Sequence, residues 1–185
     1  MSNWNERTGL IAYLAGKSPA QWIGRTALMK YCYFLQELHG VPLGYYFSLY
    51  SYGPFDSAVL SDLGEAEALG VVKEISVLYP GGYGYQISST VSGQEAEQLG
   101  GKLLEKYQAD VDWVIQEFGN LSAADLELQS TIVYVDREAV QSSEKIPLHE
   151  LVRKVRDVKP RFPEDYVRRH VLSLKDKKFL AALAE

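Results

Sequence analysis

The stretch that decides the fold is residues 45–87, which read YYFSLYSYGPFDSAVLSDLGEAEALGVVKEISVLYPGGYGYQI. Its first part, residues 45–52, is rich in aromatic side chains, and Phe47 and Leu49 alternate with more polar neighbours. This pattern predicts a β-strand that ends at Gly53-Pro54.

A helix and a hairpin are predicted next in the same stretch. Residues 55–69 carry apolar side chains at helical spacing, and either Asp56 or Ser57 is the expected N-cap. Two apolar runs then flank a Pro-Gly-Gly turn, which predicts a β-hairpin over residues 71–88. A further helix is predicted before this stretch, over residues 24–38. A helix, a short strand, a second helix and a hairpin, in this order, are typical of a winged helix-turn-helix unit.

The remainder of the chain is predicted to be helical, because apolar residues recur at three- and four-residue spacing and glycine or proline marks the ends of each segment. The segments are residues 4–15, 24–38, 93–118 and 122–138, a helix from Pro147 and a last helix from Pro163. The predicted fold class is mainly α with a small β element (α+β). We expect a single compact domain over residues 1–185, with a winged-helix-like unit in residues 1–90 and C-terminal helices in residues 93–185 packed on it.

Composition excludes several classes of protein. The 185 residues are 46% hydrophobic and 23% charged, a balance typical of a folded chain rather than a disordered one. No apolar run approaches the roughly 18 residues that a membrane span requires, and the N-terminus lacks the pattern of a signal peptide. We therefore expect a cytoplasmic protein with no membrane association.

Charge is distributed unevenly along the chain. The net charge is −5, but residues 1–140 contain 8 Lys and Arg against 17 Asp and Glu, whereas residues 141–185 contain 11 against 7. Such a basic tail marks either a surface for nucleic acid or an acidic partner, or the solvent side of helices next to the acidic remainder. The second interpretation is favoured because acidic residues occur throughout the tail.

No catalytic, cofactor or metal site is predicted. Cys32 lies in the middle of a predicted helix, on its apolar side, without the neighbouring base that a nucleophilic thiol needs. His39, His149 and His170 lack the spacing of metal ligands. The glycines of residues 80–84 are not followed by the Lys-Ser/Thr pair of a phosphate-binding loop. We therefore expect the protein not to be an enzyme.

The segment from Gly24 to Pro54 contains the candidate interaction residues. Lys30 and Tyr33 are three residues apart, so they share one side of the predicted helix. Aromatic surfaces with a few charges are typical of interaction sites, although tyrosines also lie half-buried with their hydroxyl groups in water. The candidates are Lys30, Tyr33, Tyr50, Tyr52, Gly53 and Pro54.

The same segment resembles a known family. It reads Gly24-Arg25-Thr26-x-Leu28-x-Lys30-x-x-Tyr33-Phe34-Leu35, followed by Phe47-x-x-Tyr50-x-Tyr52-Gly53-Pro54-Phe55. This combination is similar to the YwgA-like proteins, which are related in pattern to the Panacea (SocA-like antitoxin) domain. The resemblance covers roughly residues 5–90. Met29 and Asp56 depart from the pattern, where glutamine and serine are frequent.

The resemblance implies a small, largely helical prokaryotic protein with no established catalytic residues. Panacea-type domains are associated with neutralising toxins by direct contact, and some relatives with delivering a partner to proteolysis. We therefore expect a non-enzymatic protein-interaction module, antitoxin-like or defence-associated, that binds a toxin-like or proteolysis-related protein.

The alternative is a DNA-binding winged-helix transcriptional regulator. Its recognition helix would be residues 55–69, which contain four acidic residues and no Lys or Arg. Phosphate contacts dominate the affinity for DNA, so this acidic helix disfavours nucleic acid as a partner.

Overall fold

The structure is a computed structural model that describes residues 4–80 and 82–184. The described residues form seven helices and four short strands, so the predicted class, mainly helical with a small β element, is confirmed. The helices are α1 (Trp4–Lys17), α2 (Arg25–His39), α3 (Ser57–Ala68), α4 (Gly93–Phe118), α5 (Ala123–Gln141), α6 (Leu148–Val158) and α7 (Glu164–Asp176). The strands are β1 (Ser48–Tyr50), β2 (Gly53–Phe55), β3 (Val72–Tyr79) and β4 (Gly82–Ser89).

The chain forms two compact units. Unit 1 comprises Met1–Ser48 and Phe55–Leu121, and unit 2 comprises Leu49–Pro54 and Ser122–Glu185. The prediction of a single compact domain, with C-terminal helices that begin at residue 93, stays a prediction.

In unit 1 the longest helix packs directly against the first. A Cβ atom on Gly9 of α1 would lie 2.2 Å from the amide nitrogen of Gly100 in α4, so only glycine allows the two backbones to approach this closely. The backbone of α4 leaves helical geometry at Gly101, where φ is +50°. The predicted bounds of this helix, residues 93–118, are confirmed.

The hairpin of unit 1 is antiparallel, with a register that runs from Val72 opposite Ser89 to Tyr79 opposite Gly82. The base of β4 is tied to Ile23, because the two backbone hydrogen bonds between Ile23 and Ile87 measure 2.9 and 2.8 Å. The predicted hairpin is therefore confirmed, while Gly81 of its turn lies outside the described residues.

The base of the hairpin is also held by Arg25 at the start of α2. Its guanidinium group donates two hydrogen bonds to the Glu74 carboxylate of β3. The same group lies 3.7 Å from the centroid of the Tyr85 ring in β4. One side chain thus joins the two strands to the helix.

The predicted strand over residues 45–52 is wrong at both ends, because the structure places only Ser48–Tyr50 of it in a strand. Residues 51 and 52 form a turn, and Gly53–Phe55, predicted to end the strand and to begin a helix, is a second strand. The Gln36 side chain occupies both backbone groups of Tyr45, at 3.0 Å from its carbonyl oxygen and 3.1 Å from its amide nitrogen. The amide of Tyr46 donates to Asp56, with a nitrogen–oxygen distance of 2.6 Å. Side chains therefore satisfy backbone groups that a strand would pair with a second strand.

Unit 2 consists of α5, α6, α7 and the segment Leu49–Pro54. Ser122 is the N-cap of α5, as predicted, because its hydroxyl oxygen accepts a hydrogen bond of 3.1 Å from the amide of Asp125. The segment after α7 is held by Asp136 of α5, whose carboxylate accepts hydrogen bonds of 2.9 Å from the amides of Ala181 and Ala182. No helix among the described residues combines the length and the apolar character needed to cross a membrane.

Candidate functional site

The candidate site is the segment Leu49–Pro54, which comprises the end of β1, the two residues that connect it to β2 and the start of β2. We call this segment the tyrosine turn. The side chains of Tyr50 and Tyr52 are 67% and 65% exposed, whereas Gly53 and Pro54 are buried. Two large aromatic rings therefore project into solvent from a segment whose last two residues are buried.

A buried lysine fixes the backbone of the tyrosine turn. The Lys159 ammonium group donates a hydrogen bond of 3.3 Å to the carbonyl oxygen of Tyr50 and a second, shorter one to that of Ser51. The same ammonium lies 3.0 Å from a carboxylate oxygen of Glu127 in α5. The ammonium group thus has two hydrogen bonds to the turn and an ion pair with Glu127, which together compensate for the burial of its charge.

The Glu127 carboxylate is shared by two cations. One oxygen pairs with Lys159, and the other lies 2.5 Å from a guanidinium nitrogen of Arg161. Glu127 and Lys159 are both buried, while the Arg161 side chain is more than half exposed. The cluster beneath the turn thus contains two positive charges and one negative charge, and the excess positive charge reaches solvent at Arg161.

Backbone conformation and packing both favour glycine at position 53 of the turn. Gly53 has a φ of +86°, and a Cβ atom there would lie 3.1 Å from the hydroxyl oxygens of both Ser130 and Thr131. Those two hydroxyl groups donate hydrogen bonds of 3.0 and 2.8 Å to the carbonyl oxygen of Glu127, so they are fixed in place. The turn therefore packs tightly on α5, and a side chain at this position would have to displace these hydroxyl groups.

The structure brings together four of the six predicted interaction residues. Tyr50, Tyr52, Gly53 and Pro54 lie in the tyrosine turn, which is part of unit 2. Lys30 and Tyr33 are 2% and 1% exposed within α2 of unit 1. Residues 28–35 of α2 are buried on every side of the helix, so spacing alone did not distinguish a surface side from a buried one. The surface part of the predicted site is thus limited to Tyr50 and Tyr52.

Sequence reasoning missed the residues that hold the turn. Lys159 and Arg161 enter the sequence analysis only among the basic residues of the C-terminal part, and Glu127 is not singled out there. The sequence signal is weak, because Glu127 lies between Leu126 and Leu128 but polar residues flank this pair. Which cation reaches Glu127 is not readable from the sequence.

A second polar cluster in unit 2 surrounds His170. Its Nε2 lies 3.4 Å from Asp125, and its Nδ1 lies 3.2 Å from the amide nitrogen of Gln129, which can only donate. Burial lowers the pKa of His170 below its ordinary value, and the neighbouring Asp125 does not fully offset this. Both ring nitrogens of the neutral imidazole thus have a partner, and neither is free to act as a general base.

The Asp125 carboxylate of this cluster stays ionised. Burial acts to raise its pKa, but hydrogen bonds from Ser122 and Tyr166 outweigh that effect, and the pKa lies below its usual range. The arrangement offers no free proton acceptor, because Gln129 donates to Nδ1 of His170 and Asp125 lies against Nε2.

The remaining chemical candidates are buried or dispersed. Burial raises the pKa of the Cys32 thiol to about 12, so the thiolate needed for nucleophilic attack is not formed at neutral pH. Across residues 4–80 and 82–184, no three His, Cys, Asp or Glu side chains are grouped so that they could hold a metal ion.

Comparison with known proteins assigns no family. No protein-family model matches the chain, and no curated protein matches it in sequence. Function is therefore inferred from the chemistry and exposure of the described residues.

Proposed function

We propose that the protein is a non-enzymatic interaction module that binds another protein through Tyr50 and Tyr52. The observation that supports this is the attachment of the tyrosine turn by Lys159 and Gly53, which fixes the backbone while both rings remain exposed. Tyrosine offers a large contact area and loses little conformational entropy on binding. A turn that is already ordered avoids a further entropic cost when the complex forms.

The charge beside the turn indicates the chemistry of the partner. Arg161 carries the excess positive charge of the buried cluster to the surface. We therefore propose a partner with an apolar pocket for the two rings and a carboxylate near the rim of that pocket. A toxin-like or proteolysis-related protein is the proposed class, which gives this cytoplasmic module an antitoxin-like or defence-associated role.

A winged-helix arrangement of unit 1 is part of the proposal. The order of α1, the bridged residue Ile23, α2, α3 and the β3–β4 hairpin is consistent with it, because the bridge adds a third strand segment beside β4. DNA binding is disfavoured as its function. Glu65 and Glu67 are exposed on α3, and Lys73 is the single Lys or Arg between residues 71 and 89.

Affinity capture with matched variants tests the proposal. The tagged chain, the double variant Tyr50→Ala/Tyr52→Ala and the control Tyr46→Ala are used to capture proteins from source cells at moderate salt after nuclease treatment. Tyr46 is 81% exposed but lies outside the turn, so it controls for the loss of a surface tyrosine. We expect a stoichiometric partner that the double variant loses and the control retains.

The captured partner is then purified and titrated calorimetrically. We expect the double variant to weaken binding by roughly 100-fold, about 2.7 kcal/mol, and the control to change it by less than about twofold. Equal binding by all three proteins would reject the tyrosine turn as the interface. Retention on duplex DNA at low salt, lost as salt rises, would instead favour the regulator.

A further inference from the structure

The outer half of the β3–β4 hairpin is apolar on both faces. Leu78 and Tyr83 are opposite each other in the register, so they share one face, and they are 68% and 80% exposed. Ile75 and Tyr79 lie on the other face and are also exposed. Surface patches of this kind on both sides of a short hairpin mark an interaction site.

The outer edge of β3 is open at its middle. The amide of Glu74 donates to the Glu67 side chain of α3, at 3.2 Å, and therefore faces away from β4. Backbone groups alternate in direction along a strand, so those of Ser76 and Leu78 face the same open edge. Within the part of the chain that the structure describes, no hydrogen bond is made to these outward groups.

This edge lacks the features that protect the edge strands of other proteins. Natural edges carry lysine, proline or a bulge at their centre. Here residues 75–79 contain none of these residue types, and the register continues without a bulge from Val72 to Tyr79. The charge of Glu74 at the base is neutralised by Arg25. The edge is therefore able to accept one more strand.

We propose that the edge of β3 at Ser76 and Leu78 binds an extended, uncharged segment of a partner protein by β-strand addition. The segment would pair with the outward backbone groups and place β-branched or apolar side chains along both faces of the hairpin. This surface is distinct from the tyrosine turn, so the inference does not depend on the proposed function.

Area and charge favour such a segment over a second folded copy of the chain. An eight-residue strand is about 26 Å long and its edge on the order of 10 Å deep, which gives roughly 260 Å² per chain. Stable interfaces between folded proteins bury about 800 Å² per partner. A flexible segment, unlike a second folded copy, can also cover the two faces of the hairpin beside this edge. The charged side chains of residues 72–89 are Lys73 and Glu74, both at the base of the hairpin, and Glu74 is paired with Arg25. The outer half of the hairpin therefore presents no charge that a partner segment would have to match.

Proline substitution at Ser76 tests the main-chain pairing. Because the amide of Ser76 faces outward, Ser76→Pro removes no hydrogen bond between β3 and β4, yet it blocks an added strand. Ser76→Ala is the matched control, and amide hydrogen exchange of β4 shows whether the hairpin is intact. The probe is a fluorescein-labelled peptide of eight alternating valine and threonine residues with a lysine at each end, followed by fluorescence anisotropy.

We expect the probe to bind the unsubstituted chain, to bind Ser76→Pro at least about tenfold more weakly, and to bind Ser76→Ala within about twofold. The Tyr50→Ala/Tyr52→Ala protein should bind the probe unchanged, which separates this inference from the proposed function. Equal binding by Ser76→Pro with an intact hairpin, or no binding at about 1 mM peptide, would overturn it. A dimer in sedimentation that Ser76→Pro converts to a monomer would assign the edge to a second copy and also overturn it.

Discussion

Gly53 combines a left-handed backbone conformation with close packing. A side chain at this position would therefore cost stability through backbone strain and through steric contact, and substitutions can separate the two costs. Gly44 has a similar φ of +80°, but nothing lies within 4 Å of the Cβ position there. We expect Gly44→Ala to lower the free energy of unfolding by about 1 kcal/mol, because of backbone strain alone. Gly53→Ala should cost at least about 1 kcal/mol more, because its Cβ also presses on the hydroxyl groups of Ser130 and Thr131. Urea unfolding followed by circular dichroism measures both, and equal costs would contradict the close contact.

His170 makes stability depend on pH in a defined direction. Its pKa is lowered in the fold by burial, so the unfolded chain binds the proton more readily. The stabilisation is complete above the ordinary histidine pKa of about 6.5 and is lost progressively as the pH falls below it. Asp125 opposes the shift and Arg169 adds to it.

The check is to compare urea unfolding at about pH 7.5 and about pH 5.5 for the unsubstituted chain and for His170→Gln. Glutamine keeps a donor and an acceptor but does not titrate in this range. We expect the unsubstituted chain to lose more stability on acidification than His170→Gln. Equal losses would show that other groups are responsible.

At the scale of elements, we call the contacts of Lys159 with Glu127 and with the tyrosine turn the clamp. We expect loss of the clamp to lower the free energy of unfolding. Lys159→Met leaves the Glu127 carboxylate buried with only Arg161 and removes the donor to Tyr50 and Ser51. We expect a loss of about 3 kcal/mol in the free energy of unfolding. Lys154→Met breaks the exposed ion pair with Glu144 and should cost less than about 1 kcal/mol.

The clamp also gives a readout that global stability does not. In Lys159→Met, hydrogen exchange at the amides of Ser51 and Tyr52 should become faster than in Lys154→Met, because the turn loses its attachment to the helices of unit 2. Unchanged exchange in the turn, together with a loss of global stability, would mean that Lys159 supports the helices but not the turn.

The helices and the hairpin were predictable because local periodicity and turn chemistry determine them. Helix α4 has the bounds expected from its apolar spacing, and the hairpin lies where the Pro-Gly-Gly turn placed it. The irregular backbone at residues 45–47, where the pattern predicts a strand, was not predictable, because side chains of Gln36 and Asp56 bond the backbone groups of Tyr45 and Tyr46. Such bonds depend on tertiary position, which propensity does not encode.

The candidate site was predictable only in part, for a similar reason. Tyr50 and Tyr52 belong to an aromatic pattern that is visible in the sequence. Whether Lys30 lies inside or outside, and which cation reaches Glu127, depends on pairs of residues that are far apart along the chain. A single sequence holds no direct signal for such pairs.

At the scale of the whole molecule, the end of the described chain is predicted to stabilise unit 2. Asp136 is fully buried and holds the amides of Ala181 and Ala182. Asp136→Ala should lower stability by about 3 kcal/mol, since the buried amide of Ala182 and the part-buried amide of Ala181 both lose their acceptor. Glu138→Ala, an exposed neighbour on α5, should change it by less than about 0.5 kcal/mol.

Circular dichroism is the appropriate probe for this comparison, because Trp4, Trp22 and Trp113 all belong to unit 1 and tryptophan fluorescence does not report on unit 2 directly. Hydrogen exchange at Ala181 and Ala182 supplies the local measurement. Exchange that stays slow in Asp136→Ala would show that another group holds the segment.

The attachment of the tyrosine turn to Lys159 also has a consequence during synthesis. The two partners are 109 residues apart, so Tyr50 leaves the ribosome long before the lysine that fixes it. At typical elongation rates of 5–20 residues per second, the interval is on the order of 5–20 s. A nascent or truncated chain cannot hold the turn in its final form, and its two tyrosines remain mobile. The proposed binding through these tyrosines therefore requires that translation has passed Lys159, so that a chain still in synthesis would not compete with a folded one for the partner.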